Sequence, residues 1–178
     1  YTPDEPFLLG SPRVRRFNDK WQLWYVAGKE WRKIDNKPEP LYKIRLATSD
    51  DGINWVKEGR DLITDKLGKI ECQACPDVCF RNGLYHMFFS YRYISNYKGR
   101  EGGYRIGYAS SEDMLHWNRN DDLVDIECSE TGWDSEMVNY PHLFELDGHT
   151  YMFYQGNGMG KTGFGLAKLE SESIWDQI

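Results

Sequence analysis

The sequence has 178 residues, a net charge of −6 at pH 7 and 15% aromatic residues. This length suits one domain with a sizeable core, and the acidic balance offers no basic stripe that would favour a nucleic-acid partner. No stretch approaches the roughly 20 apolar residues that cross a bilayer, and no charged start precedes an apolar run, so we expect no membrane partner and a cytoplasmic location.

Three stretches of the chain repeat one pattern. Each has Pro in second place, an aliphatic residue two places later, a polar turn and an aromatic alternating strand. The stretches are SPRVRRFNDKWQLWYVAG from Ser11, CPDVCFRNGLYHMFFSYR from Cys75 and YPHLFELDGHTYMFYQGN from Tyr140. The chain therefore contains three copies of one structural unit.

A second block follows in each unit: YKIRLATSDDGINW from Tyr42, YRIGYASSEDMLHW from Tyr104 and TGFGLAKLE from Thr162. The first two blocks predict a third strand, a tight turn and a fourth strand that opens at Trp55 or Trp117. We therefore predict an all-β fold, a β-propeller of three four-stranded antiparallel blades, with a β-sandwich as the alternative. Residues 1–178 would form a single partial propeller domain, with blades at approximately 8–60, 70–122 and 134–172.

The cysteines and the glycine-rich segment carry no cofactor signature. Cys72, Cys75, Cys79 and Cys128 lack a second paired spacing, so free thiols are predicted first, with a disulfide or a metal site as alternatives. Gly160, Lys161 and Thr162 resemble the end of a P-loop, but the first glycine of that motif is missing and a strand follows instead of a helix. We expect a hairpin there, with Asn157 and Lys161 as candidate ligand contacts, and no cofactor.

Carboxylates precede two of the three prolines at the same distance. Glu71 lies five places before Pro76 and Glu136 five places before Pro141, and Asp134 lies close to Glu136. Two carboxylates that converge on one funnel are what acid–base cleavage of a glycosidic bond requires. We therefore predict Glu71, Glu136 and Asp134 as catalytic residues that face the funnel; solvated loop acids are the alternative.

The residue after each proline is also polar. Arg13, Asp77 and His142 enter predicted innermost strands, which suits the lining of a channel, although a histidine bonded to backbone would explain His142 equally well. Together with these three, the predicted substrate-binding residues are Gln73, Arg92, Asn139 and Asn157.

The repeated motifs, and GWDSEMVNYPHLFELDGHTYMFYQGNGMGKTGFGLA in particular, resemble the five-bladed propeller glycoside hydrolases of families 32, 43, 68 and 130. The similarity is nearest to an uncharacterised branch often encoded with bacterial surface-polysaccharide genes. The resemblance implies a ring of five blades, of which this chain would supply the last three. Family 43 places its catalytic acid two residues before the proline, where this chain has Asn139, so Glu136, Asp134 and Glu71 are the substitutes.

Together these features predict a glycoside hydrolase-like protein that acts on an oligosaccharide or polysaccharide of bacterial origin. A glycan-binding or polysaccharide-assembly protein without catalysis is the alternative. Three blades alone would leave apolar faces open, so we expect further N-terminal blades or a second chain to cover them.

Overall fold

The structure is a computed structural model that describes residues 1–170. Within these residues the chain forms three antiparallel sheets that follow one another in sequence. The strands are β1 (Leu9–Phe17), β2 (Lys20–Ile34), β3 (Lys37–Ser49) and β4 (Val56–Lys57) in the first sheet, β5 (Glu71–Arg81), β6 (Leu84–Tyr93), β7 (Arg105–Ser111) and β8 (Asn118–Arg119) in the second, and β9 (Asn139–Leu146), β10 (His149–Gln155) and β11 (Phe164–Lys168) in the third.

The first strand of each sheet lies at its edge, and β5 contacts both β1 and β9. Sheets arranged in series around their first strands are propeller blades, which confirms the predicted fold class. The three first strands, β1, β5 and β9, lie next to one another on one side of the molecule. This side is called the channel. The predicted fourth strand of the third unit and the end of its predicted blade at residue 172 lie outside the described residues, and the blade limits stay a prediction.

The apolar cores lie between adjacent sheets, because successive residues of a strand point to opposite faces. In β6, Met87 and Phe89 pack towards the first sheet, whereas Phe88 packs towards the third. Trp24 lies in the first of these cores and Tyr108 in the second. Aromatic residues in adjacent positions of one strand thus fill two different interfaces, which accounts for much of the aromatic content.

Two turns with the same hydrogen bonds precede the fourth strands of the first and second sheets. The Ser49 hydroxyl donates to Asp51, which accepts the backbone N–H groups of residues 53 and 54. Ser111 and Asp113 make the same contacts with residues 115 and 116. The strands β4 and β8 begin directly after Trp55 and Trp117, as the repeated sequence predicted.

The outer face of the third sheet is apolar. Phe153, Phe164 and Leu166 lie on this face with exposed fractions of 37%, 72% and 56%. Phe144 stacks on Phe153 with ring centroids 5.0 Å apart. Nothing within residues 1–170 packs on this face, and the covering blades or second chain remain a prediction.

The short helical segments do not change this architecture. Residues 157–160 form one turn between β10 and β11, so the glycine-rich segment is a hairpin connection that leads into a strand, as predicted. Of the helices in residues 1–170, none is long and apolar enough to cross a membrane.

Glu71 fastens the second sheet to the linker that precedes it. Its carboxylate is fully buried and accepts hydrogen bonds from Arg119 at 2.7 Å and from the backbone N–H of Lys66 at 3.1 Å. The Glu71 carbonyl accepts a bond from Lys43 of the first sheet. The carboxylate is therefore buried between the second sheet and the linker, and the prediction that it faces the funnel is wrong.

Replacing Glu71 by Gln should lower the free energy of unfolding by about 2 kcal/mol, because the buried Arg119 guanidinium loses one of its two charged partners and keeps only Asp121. The matched control is Glu136→Gln, at an exposed site, which should change it by less than about 0.5 kcal/mol. Urea denaturation of both variants measures the difference. Equal stabilities would contradict the structural role of Glu71.

His86 predicts a pH dependence of stability. Its ring is fully buried between the Tyr108 hydroxyl and the Arg81 carbonyl, and burial lowers its pKa below the ordinary value. Below a pH of about 6.5 the unfolded chain takes up a proton that the folded ring resists, so the free energy of unfolding should fall between pH 7 and pH 5. In His86→Gln this slope should be smaller; parallel curves for both proteins would contradict the assignment.

Candidate functional site

Each innermost strand contains the same irregularity at its proline. The residues before Pro12, Pro76 and Pro141 have positive φ angles: 47° for Ser11, 47° for Cys75 and 56° for Tyr140. At each place two residues of the strand are opposite one residue of its neighbour, which defines a β-bulge. Non-glycine residues rarely adopt this conformation, and such strain concentrates at functional sites.

The bulges bring the residues before the prolines together at one end of the channel, which we call the mouth. The Cys75 thiol donates a hydrogen bond to the Ser11 hydroxyl at 3.3 Å. Burial raises the pKa of Tyr140, and the neighbouring Tyr104 and Cys75 add to this rise. Three sheets therefore each supply one strained residue to the mouth.

Directly below the mouth, Asp77 joins all three innermost strands. Its carboxylate is fully buried and lies 2.6 Å from an Arg15 guanidinium nitrogen of β1. On the other side it accepts the backbone N–H of Leu143 at 2.8 Å and lies 3.0 Å from Nδ1 of His142, both on β9. Because every carboxylate oxygen has partners in a neighbouring strand, Asp77 fixes the three strands relative to one another.

His142 keeps its second ring nitrogen without a hydrogen-bond partner among residues 1–170. With Nδ1 donating to Asp77, Nε2 makes no hydrogen bond to any described residue, and the side chain is 44% exposed. An imidazole oriented by a carboxylate, with its second nitrogen open, can accept or donate a proton. Of the predicted site residues, His142 is the one best placed for proton transfer.

Arg13 lies between the mouth and Asp77. Its Nε atom is 3.5 Å from an Asp77 oxygen and makes no hydrogen bond, although the atom itself is buried. Burial raises the pKa of the Cys75 thiol, and the Ser11 hydrogen bond and the Arg13 charge oppose that rise. Arg15 makes the shorter contact with Asp77, at 2.6 Å. The sequence analysis did not predict Arg15 as a site residue, although its position two residues after Arg13 places both side chains on the same face of the strand.

A groove of about 460 Å³ runs along the channel side below the mouth. Aromatic rings from all three innermost strands line it, beside the polar side chains of Arg15, His142 and Glu145. The aromatic rings are Phe17, Phe80 and Phe144. The groove thus combines flat apolar walls with the open nitrogen of His142.

A loop above the third sheet carries the other two predicted catalytic acids. Asn157 fixes this loop, since its side chain accepts the N–H groups of Glu136 and Met137 and donates to Gly132 and Ser135. Glu136 is exposed, whereas Asp134 is 5% exposed and forms no hydrogen bond with other described residues. Asn157 is therefore a positioning residue, and the catalytic roles of Asp134 and Glu136 remain predictions.

Three predicted substrate contacts lie inside the protein. Gln73 donates to the Ile63 carbonyl in the linker between the first two sheets. Arg92 is enclosed by Tyr42, Tyr97 and Tyr104, with its guanidinium carbon 3.7 Å from the centre of the Tyr97 ring. Asn139 is fully buried and donates to the Gly156 carbonyl. Because these side chains pack within and between sheets, their placement contradicts direct contact with a sugar.

The cysteines are free thiols, as predicted first, and among residues 1–170 no group of three or more His, Cys, Asp or Glu side chains is arranged to hold a metal ion.

No protein-family model matches the chain. Two uncharacterized proteins from strains of Mycobacterium tuberculosis are 36% identical to it over 168 residues, which cover 94% of this chain and 52% of each relative. The chain thus spans about half the length of these relatives.

Solved structures similar to this chain include glycoside hydrolases. A family 117 enzyme of the marine bacterium Zobellia galactanivorans superposes with a TM-score of 0.72 at 17% identity, over 95% of this chain and 54% of that one. A thermostable family 43 enzyme gives 0.65 at 19% identity, over 93% and 49%. A family 32 β-fructofuranosidase of Bombyx mori, bound to sucrose, gives 0.61 at 20% identity, over 87% and 32%. The chain therefore has the fold of the β-propeller glycoside hydrolases, and it spans between about a third and just over half of these three chains.

Proposed function

We propose that this chain is part of a glycan-processing enzyme that cleaves a glycosidic bond at the mouth of the channel. The observation that carries the proposal is the Asp77–His142 pair, which leaves Nε2 of His142 open above a groove with aromatic walls. The fold supports it, since the similar structures are glycoside hydrolases and one of them holds sucrose.

The proposed chemistry assigns proton transfer to His142. Cleavage needs a proton on the departing sugar oxygen, and an imidazole can supply one and recover it from water. Asp77 keeps Nδ1–H of His142 in place, so that Nε2 is the nitrogen that faces the sugar. Glu136 and Asp134, on the loop held by Asn157, are the proposed carboxylates that activate water or stabilise the positive charge on the sugar.

The aromatic walls suit a sugar ring. Phe17 and Phe80 can pack against its C–H faces, because these faces are apolar while the hydroxyl groups lie at the rim of the ring. Arg15 and His142 are polar groups within the same groove. We infer a bacterial oligosaccharide or polysaccharide as the substrate class.

We further propose that activity requires more blades than this chain contains. The relatives are about twice as long as the matched segment, and the open apolar face of the third sheet has the composition of the faces buried between neighbouring sheets. A ring of five blades, closed by another part of a longer protein or by a second chain, would cover this face and complete the wall of the channel.

Glycan binding without cleavage is the second candidate. The residues before Pro141, Asn139 and Tyr140, carry no carboxylate. The carboxylate of Asp77 already contacts Arg15, His142 and the Leu143 backbone N–H. Within the described part of the chain, the mouth itself thus offers no carboxylate that is both at an innermost strand and open to a ligand. This favours a protein that holds a glycan for another enzyme.

Turnover of aryl glycosides and oligosaccharides by the full-length protein tests the proposal. We expect His142→Gln to lower turnover by about 100-fold or more, because the transferred proton loses its carrier. His149→Gln, at an exposed site of the same sheet, is the matched control and should retain full activity. Full turnover by His142→Gln would contradict the proton-transfer role, and binding without turnover by the unmodified protein would establish the second candidate.

A further inference from the structure

Arg13 is a cation without a matched anion. The carboxylate nearest to it, Asp77, is already in close contact with Arg15 at 2.6 Å, whereas Arg13 stays at 3.5 Å. The Arg13 guanidinium forms no hydrogen bond with any described residue, and its side chain is 30% exposed. A guanidinium held beside a channel with its donors unused is poised to bind an anion.

The surrounding charges support this view. Arg13 and Arg15 both face a single carboxylate, Asp77. Glu145 and Arg81 act on Cys79 in opposite senses, since the Glu145 charge raises the pKa of its thiol and the Arg81 charge lowers it. The channel side therefore has an excess of positive charge in a chain whose net charge is −6.

We propose that the glycan bound at the mouth carries an acidic substituent, a carboxylate or a sulfate ester, and that Arg13 binds it. This inference rests on the proposed function and defines its substrate class. The planar guanidinium pairs with two oxygens of such a group at once, which a neutral hydroxymethyl group cannot match. A neutral sugar would offer the terminal nitrogens of Arg13 only hydroxyl groups, so an acidic substituent gains a charge-assisted contact that the neutral ligand lacks.

Binding of matched oligosaccharide pairs to the full-length protein, measured by calorimetry, tests the inference. In the first pair, one oligosaccharide contains a uronic acid where the other contains the corresponding neutral hexose. In the second pair, one oligosaccharide carries a sulfate ester that the other lacks. We expect at least about tenfold tighter binding of one acidic member. The member with the larger preference identifies the substituent as carboxylate or sulfate.

Two variants assign the preference to Arg13. Arg13→Gln should remove it, Arg13→Lys should retain part of it because the charge remains, and Arg16→Gln should leave it unchanged. Arg16 is the matched control, since its more exposed side chain lies 3.4 Å from Asp19 and away from Asp77. Urea denaturation of each variant checks that the fold is intact.

The outcomes separate this inference from the proposed function. Equal or tighter binding of the neutral members would overturn the inference and leave glycan processing in place. An acidic preference that survives in Arg13→Gln would overturn the assignment to Arg13. If no oligosaccharide of either kind binds, the proposed function fails, and the inference fails with it.

Discussion

The buried carboxylate of Asp77 is the constraint on which the channel depends. Three strands of separate sheets meet around it through Arg15 on β1 and through His142 and the Leu143 backbone on β9. A fully buried carboxylate is stable only with such partners, so the requirement to satisfy Asp77 also determines where Arg15 and His142 lie. Packing of the sheets and orientation of the proposed proton carrier thus depend on the same group.

The repeats made most of the fold predictable from the sequence. The prolines Pro12, Pro76 and Pro141 mark equivalent strands, and the polar residues after them, Arg13, Asp77 and His142, lie close together because the three strands are built alike. Their roles in binding a substrate stay a prediction. Their contacts with one another could not be read from the sequence, since they depend on how the sheets pack.

The bulges explain why Glu71 was misplaced. Side chains alternate along a strand, so Glu71 and Asp77 would share a face in a regular strand. The bulge between Ala74 and Asp77 adds one residue, and the residues before and after it exchange faces. Glu71 and Gln73 consequently point into the interface with the linker. Arg92 was misplaced for another reason: its cage of tyrosines comes from distant segments, which no local pattern reveals.

A double-mutant cycle on Asp77 and His142 tests the central claim most directly. The free energy of unfolding is measured by urea denaturation for the unmodified protein, Asp77→Asn, His142→Asn and the double variant. If Asp77 holds His142 across the sheets, the sum of the two single changes in the free energy of unfolding should differ from the change in the double variant by about 1 kcal/mol or more. Additivity within about 0.3 kcal/mol would mean that the two side chains are independent, and it would contradict the claim.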